Sequence, residues 1–97
     1  MLTINQIKEA VTRLAKDYPI KSVQLFGSYA NGCETESSDV DVLVEFLHEP
    51  VSLLKFFGFQ EELSESLGIP VDIVKYPLSE QTKRDLIIER TVQLYGK

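Results

Sequence analysis

Three aspartates set among apolar neighbours are the residues of this sequence best suited to chemistry. Asp39 and Asp41 flank Val40 at the head of the run Val40-Asp41-Val42-Leu43-Val44-Glu45-Phe46, and Asp72 interrupts Pro70-Val71-Asp72-Ile73-Val74. Runs of this length, rich in β-branched and aromatic residues, predict strands. Strand side chains alternate faces, so Asp39 and Asp41 emerge together with Cα atoms roughly 6.5 Å apart. Like charges so close raise each other's pKa unless a cation sits between them, and hard divalent ions such as Mg²⁺ favour carboxylate oxygen. Asp39 could also serve turn chemistry after Ser37-Ser38, and Asp72 could be an edge-strand charge that blocks aggregation. Asp41 resists such a reading, because a carboxylate between Val40 and Val42 is costly to bury without a partner.

The loop before the aspartates adds phosphate-binding potential. Val23-Gln24-Leu25-Phe26 predicts a strand that ends at Gly27, and Ser28-Tyr29-Ala30-Asn31 reads as one helical turn with outward N–H groups, a natural place for phosphate. Gly27 and Gly32 have the glycine spacing of a P-loop, but Cys33 and Glu34 stand where Lys and Ser/Thr are required, which excludes a Walker motif. An EF-hand is excluded by Leu43 and Val44, which fall where an oxygen ligand and a turn glycine belong. His48, alone in a predicted loop, reads as an ordinary surface histidine.

Gly27-Ser28, ten residues, and then Asp39-Val40-Asp41 resembles the signature of the nucleotidyltransferase superfamily that includes DNA polymerase beta. With its short length, the chain is most similar to the minimal nucleotidyltransferase (MNT) proteins, many of which act as antitoxins beside a HEPN-domain toxin. The resemblance implies a polymerase-beta-like α/β fold and transfer of AMP from ATP to a hydroxyl. It also implies two Mg²⁺ ions held by Asp39, Asp41 and Asp72 as catalytic and metal-binding residues, with Gly27 and Ser28 on the nucleotide. The family often has Arg near Tyr29 or Asn31, and this chain has none there. Larger relatives carry added domains for their acceptor. Here the resemblance implies a partner surface, a HEPN toxin that is bound and adenylylated, often on tyrosine, in an assembly with this chain. Two other functions stay open: an antitoxin that neutralises by binding alone, and a free-standing nucleotidyltransferase acting on a small molecule or an RNA end.

The elements that must position these residues follow from periodicity. Thr3-Ile4-Asn5-Gln6 has capping-box spacing, and Ile4, Ile7, Val11, Leu14 and Ala15 recur at helical intervals, predicting a helix over 4–17 before Pro19. A second helix is predicted over 52–67, with Ser52 as N-cap and Gly68 as stop. Leu53, Phe56, Phe57, Leu63 and Leu67 suggest its inward face, and Leu54 and Phe59 widen it, which reads first as a helix crossing a small core and alternatively as an exposed apolar patch that docks a partner. A third is predicted over 79–90. Strands are predicted near 22–27, 39–46, 71–75 and 91–95. The fold class is α/β, a small mixed β-sheet with flanking helices.

Composition limits the remaining choices. Ninety-seven residues suit one domain over 1–97, and the 43% hydrophobic and 26% charged content is ordinary for a globular protein. No stretch approaches the roughly 20 apolar residues of a membrane span. The start lacks signal-peptide character, and the single Cys33 cannot form an internal disulfide, so a cytoplasmic location is expected. A net charge of −5, with its ten Lys and Arg scattered, argues against strong nucleic-acid binding.

Overall fold

The computed structural model describes residues 2–32, 34–35, 37–48, 50–76 and 90–96. Helix α1 spans Ile4–Ala15 and opens on the predicted capping box: the Thr3 hydroxyl accepts from the Gln6 N–H at 3.1 Å, and the Gln6 side chain accepts from the Thr3 N–H at 2.9 Å. It ends two residues earlier than predicted. The N–H groups of Asp17 and Tyr18 turn back onto the carbonyls of Leu14 and Ala15, tightening the chain ahead of Pro19. Strand β1, Ile20–Phe26, starts earlier than predicted because Ile20 pairs with Phe46, and the Leu47 N–H donates to the Pro19 carbonyl at 2.9 Å. Then come α2 (Ser28–Asn31), β2 (Val40–Phe46), α3 (Leu53–Leu67), β3 (Val71–Tyr76) and β4 (Val92–Tyr95). The predicted helix over 79–90 lies outside the described residues except for Arg90, which is not helical.

The strands form one mixed sheet in the order β3-β2-β1-β4. β1 runs antiparallel to both β2 and β4, whereas β2 and β3 are parallel. Parallel neighbours need a crossover connection, and α3 supplies it. Val23, Leu25, Val40, Val42 and Val44 are fully buried and join Ile7, Val11, Phe59 and Leu63 in the core. The alternation of strand side chains therefore sends Asp41, Leu43 and Glu45 to the opposite face. Among the described residues, no helix is long and apolar enough to cross a membrane.

Helix α3 corrects the predicted inward face. Phe59 and Leu63 are fully buried and Phe56 is half-buried, whereas Leu53, Leu54 and Phe57 are 71%, 82% and 56% exposed. The first half of α3, Leu-Leu-Lys-Phe-Phe-Gly-Phe, is apolar nearly all round, so periodicity alone leaves its rotation undetermined. Partner rings decide it. Tyr18 receives Phe59 edge-on at 5.4 Å, and Phe46 receives Phe56 at 5.9 Å. The Tyr18 hydroxyl also donates to Glu62 at 2.7 Å, and its pKa is pushed up to about 12 by burial and then by that carboxylate. With Arg13 donating to Ser66 at 2.6 Å, the pair fastens α1 to α3.

Phe59→Ala is accordingly expected to cost about 3–5 kcal/mol, the range for emptying a buried aromatic site. Leu54→Glu should cost less than about 0.5 kcal/mol, as surface changes do. Urea denaturation of both variants checks the rotation of α3. Equal losses would mean the helix is turned otherwise.

Candidate functional site

The sheet register brings the predicted acids together. Asp41 pairs with Phe26 on the β1 side and with Asp72 on the β3 side, so Asp41 and Asp72 stand side by side on neighbouring strands, which run about 4.8 Å apart. The Val40 N–H donates to the Pro70 carbonyl at 3.0 Å and fixes this register where the two strands begin. Asp39 precedes β2 by one residue and is exposed. Burial pushes the Asp41 carboxyl above its ordinary value of 3.8, and the charges of Asp72 and then Asp39 push it further in the same direction. All three acids therefore share one electrostatic neighbourhood.

Gly27 follows Phe26 directly and has φ 76° and ψ −154°, a region that is essentially glycine-only. A Cβ at this position would overlap Asp41 Oδ2 and stand 3.2 Å from its Cγ. The missing side chain thus makes room for the carboxylate itself. From the sequence, Gly27 is expected at the end of the strand and on the nucleotide, not against Asp41. No local pattern could have revealed a contact between the turn after β1 and a side chain on β2. Ser28 opens α2, which closes as one turn through the Asn31 N–H on the Gly27 carbonyl at 3.1 Å. Tyr29 and Ala30 are buried and anchor that turn to the core, leaving Ser28 half-buried beside Gly27.

The donor chemistry of the trio suits a hard divalent cation: three carboxylates, one of them held up in pKa by burial and then by its acidic neighbours. Among the described residues, no three His, Cys, Asp or Glu side chains converge as a formed metal cluster.

A mixed four-stranded sheet with flanking helices, and a glycine turn set against paired acids, define the nucleotidyltransferase class of fold. A family model described as a nucleotidyltransferase domain matches residues 4–94, and the chain belongs to that family. It is a nucleotidyltransferase. A relative from Methanocaldococcus jannaschii, provisionally named a protein adenylyltransferase, is 46% identical over 78 residues, covering 76% of this chain and 79% of its own. Protein adenylyltransferase MntA of Thermococcus cleftensis is 41% identical over 78 residues, covering 76% and 78%. A solved structure provisionally named a minimal nucleotidyltransferase superposes with a TM-score of 0.72 at 29% identity, over 94% of this chain and 95% of that one. The same fold is found at 18% identity and a TM-score of 0.70 in a structure of a tri-AMPylated Shewanella oneidensis HEPN toxin in complex with an MNT antitoxin, over 98% of this chain and 74% of that one.

Proposed function

We propose that this nucleotidyltransferase moves AMP from ATP to a hydroxyl of a partner protein, a HEPN-type toxin that it thereby neutralises as the antitoxin of the pair. The observation that carries this reading is the register of Asp41 against Asp72 with Gly27 packed on Asp41. The relatives' names support a protein acceptor, and the fold shared with the MNT antitoxin supports the toxin. One domain over 1–97 in the cytoplasm, where ATP and Mg²⁺ are abundant, fits the reading.

Asp39, Asp41 and Asp72 would hold two Mg²⁺ ions, which when bound neutralise charge on the transferred phosphoryl group and the departing pyrophosphate. The residues of the chain do the rest. Gly27 lets the backbone approach the triphosphate, and the N–H and hydroxyl of Ser28 bind its β- or γ-phosphate. The acceptor oxygen attacks the α-phosphorus, the bond from that phosphorus to the pyrophosphate oxygen breaks, and Asp72 takes the hydroxyl proton. The triphosphate must be placed for in-line attack, and that is the task of the turn at 27–31.

The test is direct. Incubating the chain with a HEPN toxin, Mg²⁺ and ATP is expected to add about 329 Da per transferred AMP, the mass of an adenylyl group. The modification should persist once the chain is removed. Unmodified toxin that is nevertheless neutralised one-to-one would instead establish an antitoxin that works by binding alone.

A further inference from the structure

The outward stripe of α3 is divided in kind. Leu53 and Phe57 are exposed and apolar, and one and two turns further on the same side stand Glu61 and Glu65, also exposed. Beside the stripe, between α3 and the start of β3, lies a groove of about 460 Å³ whose lining includes Phe57, Glu61, Glu65 and Asp72. Its walls are already tied down: Gln60 Nε2 donates to the Val71 carbonyl at 2.7 Å, and the Ser64 hydroxyl donates to the Ile69 carbonyl at 2.8 Å. The groove therefore brings an open aromatic face and the acid assigned above to the acceptor side of the reaction towards one end, and carries two carboxylates along the rest of its flank. Among the described residues β3 is moreover an edge strand, with no further strand paired on its outer side.

We infer that this groove receives the acceptor protein: an extended basic segment presents its hydroxyl residue to Asp72, lays a neighbouring apolar side chain against Phe57, and sets its Lys or Arg along Glu61 and Glu65. The inference rests on the proposed transfer to a protein hydroxyl. Charge complementarity selects the occupant. A carboxylate-flanked groove on a chain of net charge −5 repels acidic segments and steers basic ones. The apolar end supplies the anchoring contact that rim charges alone do not give. A groove whose walls are pinned by hydrogen bonds needs little reorganisation on binding, which favours affinity.

Two synthetic peptides test it, each with one tyrosine and one leucine, one flanked by lysines and the other by glutamates. Binding is read without nucleotide by fluorescence anisotropy, and transfer is read separately with Mg²⁺ and ATP by intact mass. The lysine peptide is expected to bind about tenfold or more tightly than the glutamate peptide at low salt, with the preference shrinking as salt rises. In the double variant Glu61→Lys, Glu65→Lys the preference should invert. This gain of binding cannot come from a damaged fold. Equal binding of both peptides, binding of neither, or a double variant that keeps the wild-type preference or binds neither peptide overturns the inference. A charge preference that inverts while no peptide or toxin gains mass would leave the groove standing and remove the transfer reading. Mass gain with no charge preference would do the reverse.

Discussion

Asp41→Asn is expected to lower adenylyl transfer by on the order of 10²–10³-fold or more, since it removes charge stabilisation at the reacting phosphorus, where a single lost donor costs about 10²–10³-fold. The same substitution should raise stability in the absence of metal. Asp41 is pushed above its ordinary 3.8 by burial, by Asp72 and by Asp39, so its neutral form is the one the fold prefers. A carboxyl with a raised folded-state pKa contributes stability that is fully present below its unfolded pKa and is lost as pH rises through the folded value. At neutral pH the wild type has lost that contribution, and Asp41→Asn never carries the charge. Thermal melts should therefore show the variant above the wild type at pH 7, with the gap closing towards pH 3. Adding Mg²⁺ should raise the wild type and leave the variant nearly unmoved. Calorimetry with Mg²⁺ and ATP supplies the decisive comparison: equal binding by both proteins would remove the metal-site reading, whatever the melts show.

How much of this was legible in the chain depended on the range of the interaction. The capping box at Thr3 and Gln6 and the anomaly of an acid among valines are local patterns, and the structure places them where periodicity predicted. The rotation of α3 was not legible. Leu53 and Phe57 satisfy a helical stripe as well as Phe56, Phe59 and Leu63 do, and only the rings of Tyr18 and Phe46 choose between them. Strand order was likewise hidden: the sequence shows three acids, but the parallel pairing of β2 with β3 is what sets Asp72 against Asp41. The resemblance implied that neighbourhood in advance, because family motifs carry tertiary information that spacing does not. The end of α1 was misplaced by two residues because the turn at 16–19 is fixed by backbone bonds to Leu14 and Ala15, which side-chain pattern does not encode.

Gly27→Ala is expected to disable the site by a route distinct from Asp41→Asn, and the two can be separated. An L-residue at φ 76° and ψ −154° carries backbone strain of about 1–3 kcal/mol wherever it occurs. Here the new methyl also overlaps Asp41 Oδ2, so the carboxylate must turn away from the position it holds beside Asp72. Binding of Mg²⁺ and ATP should fall by about tenfold or more, because a displaced carboxylate no longer meets the others at a shared cation. A double-mutant cycle divides the effect. In an Asp41→Ala background the overlap with Oδ2 is gone and only strain and a tight contact with the Cβ of residue 41, at 3.3 Å, remain, so Gly27→Ala should cost less stability there than in the wild type, with a coupling energy of about 0.5–3 kcal/mol between the two positions. Urea denaturation of the four proteins measures it. A cost for Gly27→Ala that is the same in both backgrounds would mean that the glycine serves the backbone turn alone, and that the room it leaves for Asp41 has no part in shaping the site.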